Sequence, residues 1–158
     1  MTRAIQGLTL VELTDELGSR TRAVAALKWL HGARPLPASL PESIPDVSRA
    51  VWSSFVGRSS VVAPNVMSRH TSHDGTTKYA LELAGASVET VRIPARGRST
   101  VCISSQAGCS RRCVFCATKE LGFIRQLTAE EMLAQYMLAA SEASDGAPAT
   151  NVVFMGMG

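Results

Sequence analysis

No stretch of this 158-residue sequence approaches the roughly 18 consecutive apolar residues of a membrane span, so a membrane-spanning protein is not expected. The opening residues, Met1 to Gly7, lack an apolar core followed by a small-residue cleavage site, so no secretory leader is expected either. Together these absences point to a reducing, cytoplasmic compartment. Cysteine is missing everywhere except one segment: Cys102, Cys109, Cys113 and Cys116 are the only four. Internal repeats are also missing. Acidic residues are nearly absent between Val91 and Arg125, where Glu120 stands against Arg92, Arg96, Arg98, Arg111, Arg112, Lys119 and Arg125. Such a cluster suits a phosphate backbone, although charge runs more often form a solvated face.

What is present is the run Cys109-Ser110-Arg111-Arg112-Cys113-Val114-Phe115-Cys116, spaced C-x3-C-x2-C. Thiolate sulfur is a soft ligand that selects iron–sulfur clusters, zinc or copper over hard cations. Three local cysteines can fill three corners of a 4Fe–4S cube and leave one iron open for a small chelating molecule. Two other readings stand beside this one. Cys102 could complete a structural zinc site, but zinc knuckles usually pair two CxxC-like units a dozen or more residues apart. Two disulfides belong to short secreted chains.

The apolar fraction, 46%, is that of a globular protein, and the length suits one domain or a small domain plus part of another. The periodicity predicts helices over 8–18, 20–31 and 46–56, the last with Asp46 as N-cap. Prolines 35, 37, 41 and 45 make the intervening stretch a connector. Trp29, Trp52 and Phe55 are assigned to the core of this helical part. From Ser60 the period becomes two, with strands expected over 60–63, 78–83 and 88–93 and turns at Asp74-Gly75 and Gly85-Ala86. Glu89 is a carboxylate on a face otherwise formed by Val91 and Ile93. His70 and His73 read as exposed loop residues.

A strand over 100–104, the cysteine loop, a helix over 128–141 opened by the capping box Thr128-x-x-Glu131, and an apolar strand over 151–155 follow. Met132, Leu133, Tyr136, Met137 and Ala140 are expected on the buried side of that helix. The expected fold is α/β: a helical domain over 1–58, a β-hairpin or meander over 59–98, and over 99–158 the first βαβ unit of a partial (β/α) barrel. The cysteines then lie at the carboxyl end of a barrel strand, where such barrels build active sites.

Several motifs together resemble the RlmN/Cfr family of radical S-adenosylmethionine (SAM) RNA methyltransferases. They are Val101-Cys102-Ile103-Ser104-Ser105-Gln106-Ala107-Gly108-Cys109, Cys113-Val114-Phe115-Cys116, Gly122-Phe123, Arg125, Leu127-Thr128 and Asn151-Val152-Val153-Phe154-Met155-Gly156-Met157-Gly158. Val88 to Pro94 and Leu27 to His31 also match. The resemblance implies that Cys109, Cys113 and Cys116 ligate a 4Fe–4S cluster, and that Phe115, Gly156, Met157 and Gly158 line the SAM pocket. It implies that Cys102 removes a proton from adenine and resolves a protein–RNA crosslink, and that Glu89 takes part in proton transfer. The implied reaction is methylation of adenosine C2 in 23S rRNA, and in certain tRNAs, by a radical route fed by an external flavodoxin-like electron donor. The Cfr branch methylates C8 instead. A non-catalytic RNA-binding module holding zinc or an iron–sulfur centre is the other reading. The sequence stops before the Glu-Pro of the family's GMGEP motif and lacks its C-terminal methyl-carrying cysteine. This polypeptide alone is therefore expected not to complete turnover. After Cys116, Ala117-Thr118-Lys119-Glu120 replaces the family's usual Thr-Gly.

Overall fold

The computed structural model describes residues 3–32, 37–143 and 146–158. Part of the expected connector, 33–36, and Asp145 of the expected turn lie outside the described residues. The chain forms two compact units, one ending at Ala63 and the other beginning at Pro64.

In the first unit, β1 (Arg3–Ala4) is followed by α1 (Leu10–Leu17), α2 (Arg20–Gly32) and α3 (Arg49–Val56). Helix α1 starts at Thr9 because the Thr9 hydroxyl accepts from the Glu12 N–H while the Glu12 carboxylate accepts from the Thr9 N–H. Gly18, at φ 66°, stops it in the left-handed region. Trp52 and Phe55 are fully buried, 5.3 Å apart between ring centres, and Trp29 meets Trp52 edge-on at 6.0 Å. The Trp52 indole N–H donates to the Pro41 carbonyl at 2.8 Å, so the ring is buried with its polar atom satisfied. Asp46 is not the N-cap of α3. It sits at φ 62°, outside the extended conformation a cap needs, and Ser48 holds the cap position. The unit runs past residue 58 because β2 (Ser59–Ser60) pairs in parallel with β1, and because the Gln6 amide bonds both polar groups of the Val62 backbone.

The second unit is built on a five-stranded sheet. Its strands are β3 (Asn65–Thr71), β4 (Thr77–Leu83), β5 (Ala86–Ala95), β6 (Arg98–Cys102) and, across one more strand pair, β9 (Ala149–Val153), in the order β3-β4-β5-β6-β9. The first four are antiparallel neighbours, and β6 and β9 are parallel. Parallel strands need a crossover, and α4 (Ala129–Ser141) lies between them in the chain. The segment 59–98 is thus no separate connector: β5 and β6 share one hydrogen-bonded ladder. Between β6 and α4 the chain makes a small hairpin, β7 (Gln106–Gly108) with β8 (Phe123–Gln126), and the cysteine loop is its tip.

Strand β3 was not expected, and His70 lies in it, opposite Lys78, rather than in a loop. All seven β3 residues are exposed, so the strand carries no inside–outside alternation for the sequence to display. Helix α4 has the predicted capping box. Its buried face differs from the apolar stripe: Glu131, Ala134, Gln135, Met137 and Ala139 face inward, and Leu133 is exposed. Two polar anchors set this rotation. Arg125 grips both carboxylate oxygens of Glu131 at 2.8 Å, and Gln135 bonds into the sheet.

The Arg125 guanidinium, helped by the Thr128 N–H, holds the Glu131 carboxyl below its ordinary value of 4.5, against the opposing effect of burial. A folded-state value below the unfolded one adds stability that is present above pH 4.5 and is lost as pH falls through the folded value. Acid unfolding of the second unit should therefore steepen below pH 4.5. In Glu131→Gln that part of the acid limb should flatten, read by circular dichroism across a pH series.

Candidate active site at the end of β6

Alternation along β5 fixes which side chains meet. Val88, Thr90 and Arg92 are buried, and the Thr90 hydroxyl bonds Gln135 of α4 at 2.9 Å, so this face lies under the helix. Glu89, Val91 and Ile93 take the opposite face. Directly paired residues in a ladder share a face. Val91 pairs with Cys102 of β6 and with Lys78 of β4, and Cys102 pairs with Val153 of β9. Lys78, Val91, Cys102 and Val153 therefore form one row across four strands on the face away from α4. Glu89 stands one pleat along, and its carboxylate accepts from the Lys78 ammonium at 2.9 Å. The pair is half-exposed, whereas Cys102 is buried.

Beyond Cys102 the chain stops pairing as a strand. The Ser104 N–H donates to the Gln135 side-chain oxygen at 2.9 Å, and the Ser104 carbonyl accepts from the Gln135 amide at 3.0 Å. The Ser104 hydroxyl donates to the Glu89 carbonyl at 2.7 Å and accepts from the Met157 N–H at 3.0 Å. The Met157 carbonyl in turn accepts from the N–H groups of Ser105 and Gln106, at 2.9 and 3.0 Å. Gly156 donates to the Ile103 carbonyl at 3.3 Å. The turn 156–158 is thereby seated on the exit of β6. It fits there because it carries glycine: a Cβ on Gly156 would stand 2.6 Å from the Ser104 hydroxyl and 3.0 Å from the Ile103 carbonyl.

The cysteine loop starts one residue after β7. The Cys109 N–H donates to the Gly122 carbonyl at 2.9 Å across the loop base. The Gln106 side-chain oxygen accepts from the Ser110 N–H at 3.0 Å, and the Cys109 sulfur accepts from the Arg111 N–H at 3.4 Å. A turn joins the other two thiols, with the Cys116 N–H donating to the Cys113 carbonyl at 3.0 Å. All four cysteines are free. Cys109 and Cys116 are half-buried, and Cys113 is exposed. The Thr118 hydroxyl and N–H hold the Cys116 thiol below its ordinary range, toward the thiolate that a metal binds. Val114 and Phe115 project into solvent, Phe115 at 90% exposure.

The structure thus brings Cys102, Glu89 and the turn 156–158 to the end of β6, and hangs Cys109, Cys113, Cys116 and Phe115 on the adjoining loop. Among the described residues no group of three or more His, Cys, Asp or Glu side chains is gathered as a metal site. The donor set itself suits a soft metal: three free thiols on one loop, one already receiving an N–H and one favoured as thiolate. The sequence reading quoted Ser104 and Gln106 within a motif without giving either a role, and it missed Gln135. Gln135 carried a faint signal, lying four residues after Glu131 on the helix face that the capping box starts. Among the described residues no helix is long and apolar enough to cross a membrane.

No model of a known protein family matches the chain. The chain is 40% identical over 152 residues to the dual-specificity RNA methyltransferase RlmN of Alkalilimnicola ehrlichii, covering 94% of this chain and 41% of that protein. It is 42% identical over 151 residues to the protein of the same name from Halorhodospira halophila, with the same coverages. A crystal structure of a radical SAM methyltransferase from Sphaerobacter thermophilus superposes with a TM-score of 0.81 at 33% identity, over 99% of this chain and 47% of that one. The chain therefore spans about two fifths of the length of the curated relatives it matches. On these likenesses, and with the motifs gathered at the end of β6, the chain is similar over nearly its whole length to part of the RlmN radical SAM methyltransferases.

Proposed function

We propose that this chain is the cluster-bearing part of a cytoplasmic RNA methyltransferase acting on C2 of adenosine in 23S rRNA and tRNA. The observation that carries the reading is the loop of three free thiols, Cys109, Cys113 and Cys116, that follows in the chain a strand ending at a buried thiol, Cys102, on the same sheet face as Glu89. The RlmN name of the relatives favours C2 over C8. In this reading, β6, α4 and β9 form the first βαβ unit of a (β/α) barrel, with the face bearing Cys102 turned to its interior.

Cys109, Cys113 and Cys116 would hold a 4Fe–4S cluster. Bound there with SAM, and reduced by an external flavodoxin-like donor, the cluster supplies the electron that cleaves SAM. The remaining roles belong to the chain. The backbone of Gly156, Met157 and Gly158 offers a side-chain-free wall against which SAM can lie, and Phe115 adds an apolar surface from the loop. Cys102 is buried, so its thiol is shielded from solvent until the substrate reaches it. There its Sγ would take the proton of the adenine carbon and, once again a thiolate, form a disulfide with the crosslinked cysteine sulfur as the sulfur–carbon bond breaks and leaves its electron pair on the carbon. Glu89 accepts or returns a proton at its carboxylate, and Lys78 steadies that carboxylate by its ion pair. The exposed basic residues Arg96, Arg98, Arg111 and Arg112 meet the RNA phosphates, whereas Arg92 is buried and Arg125 is held by Glu131.

The test is the electron paramagnetic resonance spectrum of the chain, reconstituted anaerobically with iron and sulfide and then reduced. A signal that shifts when SAM is added is expected. A protein that instead takes up one zinc and no iron would assign the cysteines to a structural role and leave an RNA-binding module.

A further inference from the structure

The side chain of Ser104 is fully buried and joins three segments that are far apart in sequence. Its hydroxyl donates to Glu89 of β5 and accepts from Met157 of the glycine turn, while its own backbone N–H and carbonyl are both taken by Gln135 of α4. Gln135 has no exposed surface, and its remaining bonds go to Thr90 and to the Glu131 carbonyl. Ordinary strand pairing would have given the Ser104 N–H and carbonyl to a neighbouring strand. Here the helix takes them, and the hydroxyl is left to bridge β5 and the turn.

We propose that Ser104, held by Gln135, is a positioning residue: its hydroxyl sets the distance between the Glu89 segment and the turn 156–158. The functional part of this inference rests on the reading above, in which Glu89 handles a proton and the turn receives SAM. Two independent features support it. One is the hydroxyl's pair of bonds, at 2.7 and 3.0 Å. The other is the space at Gly156, where a Cβ would stand 2.6 Å from that same hydroxyl. Glycine lets the turn come close, and serine fixes how close it comes. A serine that merely filled the core would not need its partner to give up a side chain.

The test is amide hydrogen exchange on the full chain, comparing Ser104→Ala with Val88→Ala. Val88 is fully buried on the neighbouring strand and bonds to neither the turn nor the helix through its side chain. Ser104→Ala should speed exchange at Ser105, Gln106 and Met157 by about tenfold or more and leave α1 and α2 unchanged, because local opening is set by local bonds. Val88→Ala should loosen the sheet broadly without singling out those three amides. With the cluster reconstituted, Ser104→Ala should need about tenfold more SAM for half of the spectral shift, at unchanged iron content. Unchanged exchange at Ser105, Gln106 and Met157 in Ser104→Ala would overturn the inference. So would an acceleration no more selective than that of Val88→Ala. If the wild-type chain takes up no iron, the proposed reaction falls, and the exchange comparison still decides whether Ser104 positions the turn.

Discussion

Replacing Gly108 by alanine should cost the second unit about 3 kcal/mol or more and abolish metal loading on the cysteine loop. Gly108 has φ 69°, a region where a side chain costs about 1–2 kcal/mol. Its position in the hairpin adds a second cost. A Cβ built there would overlap the Gly122 carbonyl of the opposite arm. That same carbonyl accepts the Cys109 N–H at 2.9 Å, the bond that closes the loop base. Relieving the overlap means parting β7 from β8, which gives up that bond and the pairing of Gly108 with Phe123, at about 1 kcal/mol each. Once the arms part, Cys109 is no longer held across from the Gly122 end of the loop that carries Cys113 and Cys116. The denaturant midpoint of the second unit, with iron content after reconstitution, reads both effects. The equivalent change at Gly85, which has a similar φ of 76° but open space around its Cβ, should cost only the backbone part and leave metal loading intact.

Gln135→Met should be as damaging by a different route. Methionine keeps the length and much of the volume of glutamine but can neither donate nor accept the bonds that Gln135 makes. The Thr90 hydroxyl, the Ser104 N–H and the Ser104 carbonyl would be left buried without their partner. A buried polar group deprived of its partner costs about 1–3 kcal/mol, so three should cost about 4 kcal/mol together. That is a large share of the roughly 5–15 kcal/mol that holds a domain folded. Chemical denaturation followed by circular dichroism measures it. Leu133→Ala, on the same helix but exposed, serves as the contrast and should cost less than about 1 kcal/mol.

These two positions also show where sequence reading stops. The cysteine loop, the capping box of α4 and the strand pattern of β4 and β5 were legible, because each rests on local chemistry or on alternation across a half-buried sheet. The end of β6 was not. By periodicity the strand should run through Ser104, yet it ends at Cys102, because Gln135 takes the Ser104 backbone. Likewise β9 ends at Val153 rather than Met155, because the chain must turn to bring Gly156 onto the Ile103 carbonyl. A glutamine in the middle of a helix reads as a solvent-facing residue until its partners are seen. Strand β8 was hidden for a simpler reason: Phe123–Gln126 is four residues long and none of them is buried. In the candidate site, the residues that would do chemistry could be given roles from motifs, whereas the bonds by which Ser104, Gln106 and Gln135 hold the site in place could not be read there.

In the proposed site three thiols hold the cluster and the fourth, Cys102, does not. Mössbauer spectroscopy of the anaerobically reconstituted chain tests it most directly. Iron signals in a ratio of roughly three to one are expected, with the minor one moved by SAM, together with loss of the cluster in Cys113→Ala but not in Cys102→Ala. Four equivalent irons untouched by SAM, or a cluster lost in Cys102→Ala, would contradict it.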